Sequence, residues 1–316
     1  MFKFNLCPQK ESDNQTFIIA EVGQNHQGDF NLAKRLIRVA KDCGADCVKF
    51  QKTCLSQKFN ERALQRAYTS PNSFGRTYGE HKAFLEFSET EFVQLQLYAD
   101  EIDILFTASA MDTESLKFLA EMGVPFIKIG SGDANNFLLI EKAAATGIPL
   151  IISTAPYEDI NLSVVNLYKK EFPDIAIGYS GHELGTHVSI AAVAMGCKIL
   201  ERHITVDRHL KGTDHKCSLE PREFREMVRC IRTLEIALGR PLKTLQNSEM
   251  ACYRKLGKTL VYTRDLPKAH CLGYNDLDVK VAEPRGLEGQ LFDDVTGRTL
   301  VTAVKKDESV LNEHLI

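Results

Sequence analysis

Charged and hydroxyl side chains recur near the ends of short apolar segments in the first two thirds of the chain. Two of them are lysines inside such segments, Lys49 and Lys128. A buried ammonium group costs several kcal/mol unless it meets an opposite charge or a ligand. Two such groups beside the hydroxyls of Ser131, Ser153 and Ser180 suit a small phosphate or carboxylate anion. These residue types therefore indicate an anion-binding site.

Histidines and acids follow segments of the same kind. His182 and His203 could supply two imidazoles to a divalent metal whose other positions belong to water and substrate. Their spacing matches no short metal motif, so the two histidines are a weak signal by themselves. Glu21 and Asp133 are candidates for proton transfer or for orienting a hydroxyl. Each residue taken alone is more often structural, and only their joint occurrence favours a site.

Seven apolar segments rich in β-branched residues would position these side chains. Amphipathic helical patterns separate the segments, which is typical of parallel strands joined by crossover helices. We predict strands at residues 17–23, 47–51, 103–109, 125–132, 149–154, 175–181 and 198–205. In a parallel α/β barrel the carboxyl ends of all strands face one mouth, so the polar residues would converge there. The predicted fold class is α/β, a TIM-type (β/α) barrel in which seven strands are readable.

The sequence divides into three parts. Residues 1–239 carry the barrel pattern, and residues 240–255 lack periodicity and form a predicted linker. Residues 256–316 contain short strands and turn residues typical of a small β-rich domain. A long polar insert at 52–87 interrupts the second crossover, and long loops in such folds often cover the active site.

Composition argues against several classes of protein. The 316 residues are 44% hydrophobic and 26% charged, and the net charge of −3 gives no basic excess for a nucleic-acid surface. No segment approaches the roughly 20 unbroken apolar residues of a membrane span. Nine cysteines without a CxxC pair, and a start without a secretory pattern, favour a reducing, cytoplasmic location.

Several motifs in the chain are long enough to be specific. They are AEVGQNHQGD at 20–29, GADCVKFQK at 44–52, TYGEH at 77–81, KIGSGDANN at 128–136, GYSGHE at 178–183, LERHIT at 200–205 and SLEP at 218–221. Together they resemble the sialic acid synthase family, and in particular its animal members. The resemblance covers almost the whole chain, and it implies that residues 256–316 form the antifreeze-like (SAF-type) domain of that family.

The resemblance implies a metal-assisted condensation. Phosphoenolpyruvate would react with N-acetylmannosamine 6-phosphate, or with N-acetylmannosamine, to give N-acetylneuraminate 9-phosphate, or N-acetylneuraminate, and phosphate. Mn or Mg would be bound by His182 and His203. The candidate catalytic residues are Glu21, Lys49, Lys128 and Asp133, and the candidate substrate ligands are Gln51, Ser131, Ser153, Ser180, Glu201, Asp214 and Arg285.

The resemblance also implies a domain-swapped homodimer. In the family, the small domain places an arginine from an RPG-like turn over the sugar site of the partner. Here the corresponding stretch reads VAEPRGLEG, and Arg285 is displaced relative to that turn. Arg285 is therefore a candidate for this role without a matching motif.

One strand-plus-helix unit of the family has no counterpart in this sequence. The predicted strand 149–154 passes almost directly into a predicted helix at 159–171, where family members carry a further unit of on the order of 30 residues. Its absence would open the barrel and leave unpaired strand edges, or require a strained closure. Two hypotheses follow. The chain is a working synthase, or it is a catalytically impaired shortened form that acts, if at all, as a non-catalytic partner of the full-length enzyme.

Overall fold

Strands and helices alternate through the first of the two units into which the chain divides, Met1–Gly239 and Arg240–Ile316. The computed structural model describes residues 15–153 and 160–316. The strands of the first unit are β1 (Phe17–Gly23), β2 (Cys47–Lys52), β3 (Leu105–Ala110), β4 (Ile127–Ile129), β5 (Leu150–Ile152), β6 (Gly178–Gly181) and β7 (Ile199–His203). Each predicted strand is present, although β4, β5, β6 and β7 are shorter than predicted. Residue 154, the predicted end of the fifth strand, lies outside the described residues.

All seven strands belong to one parallel sheet, in the order β5-β4-β3-β2-β1-β7-β6. Neighbours in sequence are neighbours in the sheet, and the first strand pairs with the last, which is the strand order of a (β/α) barrel. Within the described residues no ladder joins β5 to β6. The sheet therefore has barrel order with one opening, at the place where the sequence lacks a unit.

An ion pair across the interior shows that the sheet curls. Four strand spacings separate β4 from β7, which in a flat sheet would amount to about 19 Å. Yet the Nζ atom of Lys128 on β4 lies 2.9 Å from both carboxylate oxygens of Glu201 on β7. The two sides of the sheet must therefore face each other, as the walls of a barrel do.

Helices lie between the strands along the first unit. They are α1 (Phe30–Asp42), α2 (Leu55–Lys58), α3 (Glu61–Gln65), α4 (Tyr78–Leu85), α5 (Glu89–Glu101), α6 (Thr113–Glu121), α7 (Phe137–Ala145), α8 (Ser163–Glu171), α9 (His187–Ala194) and α10 (Pro221–Leu238). Asp29 caps α1, and Thr77 and Ser88 begin α4 and α5 with reciprocal capping boxes. Helices α2 to α4 belong to the insert predicted at 52–87. The predicted start of α8, residue 159, lies outside the described residues.

The main core lies between the helices and the outward-facing side chains of the strands. Ile18, Val48 and Phe106 of the sheet pack in one cluster with Leu36 of α1 and Leu95 of α5. Successive side chains along a strand point to opposite faces of the sheet, so every second side chain points to the inside of the curl. This alternation separates an apolar outer layer from the interior that forms the candidate site.

The second unit has its own small core. Strands β8 (Thr259–Tyr262) and β9 (Leu277–Lys280) are antiparallel, and Leu260, Tyr262 and Leu300 pack in one cluster of this unit. Two further helices are α11 (Met250–Leu256) and α12 (Phe292–Val295). The segment predicted as a linker, 240–255, thus contains most of a short helix.

Exposed apolar side chains occur on the elements around the opening. Phe137 and Leu138 of α7 are 71% and 61% exposed, and Leu167 of α8 is 52% exposed. Ile152, on the edge strand β5, is also exposed. In the part of the chain that the structure describes, no helix has the length and apolar character needed to cross a membrane.

Candidate active site

The interior of the curled sheet changes from apolar to charged along the strands. Its amino-terminal part is a small cluster that contains Phe17, Ile19, Cys47, Phe126 and Ile199. Two residues further along four of these strands come the charged residues of the interior, which are Glu21, Lys49, Lys128 and Glu201. The strand register places Glu21 beside Lys49 on β2 and beside His203 on β7. The predicted convergence of polar strand residues is present for this set.

Two buried lysines and two buried glutamates form the centre of the site, which we call the charged cluster (Glu21, Lys49, Lys128 and Glu201). Lys49 Nζ lies 2.5 Å from Glu21 Oε2 and 3.8 Å from Glu201 Oε1. It also donates a hydrogen bond of 2.9 Å to Ser109 Oγ. Lys128 pairs with Glu201 as described above, so each buried ammonium group has an opposite charge, as the cost of burial requires.

The two glutamates differ in proton affinity. Burial raises the pKa of Glu21 and outweighs the opposing effect of Lys49. Burial also acts to raise the pKa of Glu201, but the charges of Lys128 and Lys49 together lower it. Glu201 is therefore the permanent counter-ion, and Glu21 is the carboxyl group that exchanges a proton more readily. With Glu21 protonated, the charged cluster has a net positive charge that suits an anion.

Two imidazoles lie next to the charged cluster. His203 ends β7, His182 follows β6, and their ring centroids are 4.9 Å apart. Burial lowers the pKa of both histidines, so both are neutral and able to bind a metal. The charge of Asp214 opposes this shift in each histidine, which places Asp214 within electrostatic range of the pair.

The histidine pair fits a divalent metal with open positions. The Nδ1 atom of His203 is buried and has no hydrogen-bond partner among the described residues. Over residues 15–153 and 160–316, no group of three or more His, Cys, Asp or Glu side chains has the arrangement of a complete metal site. Two imidazoles would therefore need water and substrate as further ligands.

Two other predicted residues reach the charged cluster. Gln51 Nε2 donates to Glu21 Oε1 at 3.2 Å, and Ser180 Oγ donates to Glu201 Oε1 at 3.0 Å. Ser153 follows β5, is half-buried, and its backbone N–H donates to the Ile129 carbonyl at 3.0 Å. Each of these residues lies at the carboxyl end of a strand.

Two of the remaining predicted residues, Ser131 and Asp133, follow β4 and do not contact the charged cluster in this structure. Ser131 is exposed, and Asp133 Oδ2 lies 3.6 Å from Lys58 Nζ, in a short turn after β4. Arg285 belongs to the second unit, where its guanidinium lies 3.9 Å from the ring centroid of Tyr253 and 3.9 Å from Glu288.

Sequence reasoning missed two groups of charged residues outside the charged cluster. Lys58 and Lys82 come from helices of the insert, and Lys82 Nζ donates to Gln24 Oε1 at 2.9 Å in the turn after β1. Glu183 and Arg202 form a buried ion pair of 2.6 Å on the other face of the sheet. The length of the insert was the only signal for the first group, and the charge of Arg202 inside the apolar strand β7 was the signal for the second.

Comparisons with known proteins agree with this geometry. The profile described as "NeuB family" matches residues 36–156 and 154–243. The chain is 48% identical to N-acetylneuraminate-9-phosphate synthase of Homo sapiens over 345 aligned residues, which cover 98% of this chain and 96% of the human protein. It is 41% identical to the Drosophila melanogaster protein of the same name, over 96% of both chains.

A solved structure gives the same fold. The N-acetylneuraminic acid synthetase of Leptospira borgpetersenii, crystallised with citrate, superimposes with a TM-score of 0.64 at 32% identity, over 76% of this chain and 90% of that chain. The two segments matched by the family profile meet at residues 154–156. The alignment with the human protein has 345 positions against 316 residues here, so that relative has residues without a counterpart in this chain. This chain belongs to the NeuB family.

Proposed function

We propose that this chain is a sialic acid synthase that condenses phosphoenolpyruvate with N-acetylmannosamine 6-phosphate and forms N-acetylneuraminate 9-phosphate and phosphate. The observation that carries the proposal is the charged cluster beside the His182 and His203 pair, at the carboxyl ends of barrel-type strands in a NeuB family member. The unphosphorylated acceptor, N-acetylmannosamine, is the second substrate to test. The names of the human and fly relatives favour the phosphorylated one.

The lysines of the charged cluster would bind phosphoenolpyruvate. Its phosphate and carboxylate would take Lys49 and Lys128 as partners, with hydrogen bonds from Ser180 and Ser153. Each lysine would then pair with a substrate anion in place of a protein carboxylate. Its buried charge would therefore have an opposite charge nearby both with and without substrate.

The histidine pair would hold Mn or Mg. When bound, such a metal supplies a Lewis acid for the acceptor aldehyde. C3 of the enol would form the new bond to the aldehyde carbon, which makes C2 electrophilic; water would add to C2, and the bond from C2 to the phosphate oxygen would then break to leave the ketone. Glu21 would take the proton from that water, because its raised pKa makes it a proton acceptor near neutral pH. Asp214 and Gln51 would orient hydroxyl groups of the sugar, and Asp133 would do so from the turn after β4.

Further parts of the proposal concern the whole assembly. We propose that the second unit is an antifreeze-like domain and that two chains form a domain-swapped homodimer in which Arg285 approaches the sugar site of the other chain. The similarity of the whole chain to the human protein supports this. We also propose a cytoplasmic location, without nucleic-acid or membrane partners, from the composition of the chain.

The comparisons do not favour the alternative of a catalytically impaired shortened form. The relatives that match nearly the full length of this chain, at 48% and 41% identity, are named as synthases. The opening in the sheet lies beside β5 and β6, whereas Glu21, Lys49 and Ser109 are on strands that keep both neighbours.

Activity of the purified chain tests the proposal. With Mn²⁺, phosphoenolpyruvate and N-acetylmannosamine 6-phosphate, we expect release of inorganic phosphate that requires both substrates. Lys128→Met should lower kcat/KM by on the order of 10²-fold or more, because it removes a cation that would hold the substrate anion. Lys117→Met, an exposed lysine of α6, is the matched control and should change kcat/KM less than about twofold. Absence of phosphate release by the unmodified chain would overturn the proposal.

A further inference from the structure

Behind the two histidines, on the outer face of the sheet, lies a second polar network. Arg202 on β7 is fully buried. Its Nη1 donates to Glu183 Oε1 at 2.6 Å, to the Gly185 carbonyl at 2.8 Å and to Ser189 Oγ at 2.8 Å. Its Nη2 donates to the Glu183 carbonyl at 2.6 Å. These acceptors belong to the loop after β6 and to α9, so one guanidinium fixes both the side chain and the backbone of that loop.

The carboxylate of Glu183 is held on both oxygens. Besides Arg202, Oε1 accepts from Ser189 Oγ at 2.9 Å, and Oε2 accepts from Tyr179 Oη at 2.8 Å. The side chains of Arg202 and Glu183 are 0% and 8% exposed. A buried ion pair of this kind has a large desolvation cost and is weak as a source of stability, so a role in fixing one local geometry accounts better for its presence.

Sequence adjacency connects this network to the histidines. Arg202 precedes His203, and Glu183 follows His182. The register between β6 and β7 places Gly181 opposite Arg202, and successive residues point to opposite faces. Arg202 and Glu183 are in contact on the outer face. This contact therefore fixes the backbone at His182, whose side chain lies near His203 on the inner face.

The opening in the sheet makes this contact more important. Strand β6 pairs with β7 on one side, and the described residues contain no strand on its other side. Its position, and that of the loop that follows, depends on contacts with β7 and α9. Two of the four hydrogen bonds of Arg202 supply such contacts directly at Glu183, the residue after His182, and the other two reach Gly185 and Ser189.

We propose that Arg202 and Glu183 are a positioning pair that holds His182 toward His203 for a divalent metal. The inference rests on the proposed function, because it takes the two histidines as metal ligands. A planar guanidinium reaches two carbonyl oxygens and a carboxylate together, whereas an ammonium group cannot reproduce that fork. Groups that orient metal ligands commonly change metal affinity by 10- to 100-fold when replaced.

Titration of Mn²⁺ into the full chain tests the inference. We expect Arg202→Lys to weaken Mn²⁺ binding by about 10- to 100-fold, while phosphoenolpyruvate binding without metal stays within about twofold. Arg232→Lys is the matched control, because Arg232 also pairs with two carboxylates, those of Asp46 and Glu235, but away from the site. It should leave Mn²⁺ affinity unchanged even if the melting temperature falls.

Three outcomes separate this inference from the proposed function. Unchanged Mn²⁺ affinity in Arg202→Lys, with His203→Ala abolishing binding, would overturn the positioning role alone. No Mn²⁺ binding by the unmodified chain would overturn the metal site and the inference with it. If Arg202→Lys does not fold, Ser189→Ala is tested in its place, because it removes one hydroxyl contact of the network. A Mn²⁺ affinity of Ser189→Ala equal to that of the unmodified chain would then count against the positioning role.

Discussion

At the scale of single residues, the buried lysines carry the strongest inference from sequence. Lysines inside apolar strands require a partner, and both lysines have one, Glu21 for Lys49 and Glu201 for Lys128. The identity of these partners could not be predicted, because the Lys128 to Glu201 pair crosses the interior between strands that are distant in the sheet. The sequence identifies the buried charges that need an opposite charge nearby. Only the curl of the sheet decides which residue supplies that opposite charge.

Replacement of Glu21 tests its role in proton transfer. Glu21→Gln should lower kcat by about 10²- to 10⁴-fold, because the amide cannot accept a proton. In the unmodified chain, activity should fall as the pH drops through the raised pKa of Glu21, and the remaining activity of Glu21→Gln should lack this limb. The measurement is kcat against pH, with the exposed Glu121→Gln as control. A pH profile that keeps the same acid limb in Glu21→Gln would contradict this assignment.

Ser131 and Asp133 show where residue-level prediction stops. The period of two along a strand predicts which side chains face the interior, and it places Glu21, Lys49, Lys128 and the others on β-strands correctly. Ser131 and Asp133 follow the end of β4 in a short 3-10 turn, where that period no longer applies. Their orientation depends on the turn and on contacts such as that between Asp133 and Lys58.

At the scale of elements, the turn between β1 and α1 joins several parts of the first unit. Asn25 Nδ2 donates to the Ile204 carbonyl at 2.9 Å and to Ser218 Oγ at 2.8 Å. His26 stacks on Phe87 with ring centroids 4.2 Å apart, and its Nδ1 accepts from the Gly28 N–H at 3.1 Å. The QNHQGD motif thus has a structural role beside the site.

Burial of His26 predicts a pH dependence of stability. Burial lowers the pKa of His26 to about 3 from an ordinary value of 6.5. The unfolded chain therefore binds a proton below pH 6.5 that the folded chain does not, and folding stability falls as the pH drops from 6.5 toward 3. We expect His26→Phe to reduce this slope by up to about 1.4 kcal/mol per pH unit. Urea unfolding at pH 7.5, 6.5 and 5.5 measures it.

The exposed His187→Phe is the control for that experiment, and its slope should equal that of the unmodified chain. Equal slopes in His26→Phe and the unmodified chain would contradict the assignment.

The short elements explain the boundary errors in the predicted fold. Strand β4 was predicted at 125–132 and spans Ile127–Ile129, because hydrogen bonding to neighbouring strands, and not the apolar pattern, sets where a strand ends.

At the scale of the whole molecule, the opening between β5 and β6 is the feature in which the sheet differs from a closed barrel. The number of strands, their parallel direction and the absent unit were all predictable from the alternating pattern and the motifs. The sequence predicted either an open barrel or a strained closure, and the choice between them was not predictable, because it depends on contacts across the interior such as that between Lys128 and Glu201. The outer network of Arg202 and Glu183 was equally unpredictable, since it depends on how the loop after β6 returns to the sheet.

Hydrogen exchange measures the effect of the opening on local stability. Backbone amides of β5 and β6 should exchange at least about tenfold faster than those of β1 and β2, because edge strands with fewer contacts open at lower free energy than central ones. Strand β7, which keeps both neighbours, is the internal control and should resemble β1. Equal protection of β6 and β1 would mean that the opening is closed in solution.

The Lys128 to Glu201 pair connects the two walls that border the opening, since β4 adjoins β5 and β7 adjoins β6. On the proposed function, a substrate anion that takes Lys128 as its partner would break this contact. Ligands ordinarily raise melting temperature by mass action, and the lost contact would cancel part of that gain. The wall beside the opening would then be held less tightly with substrate bound than without it, which would favour release of product after each turnover.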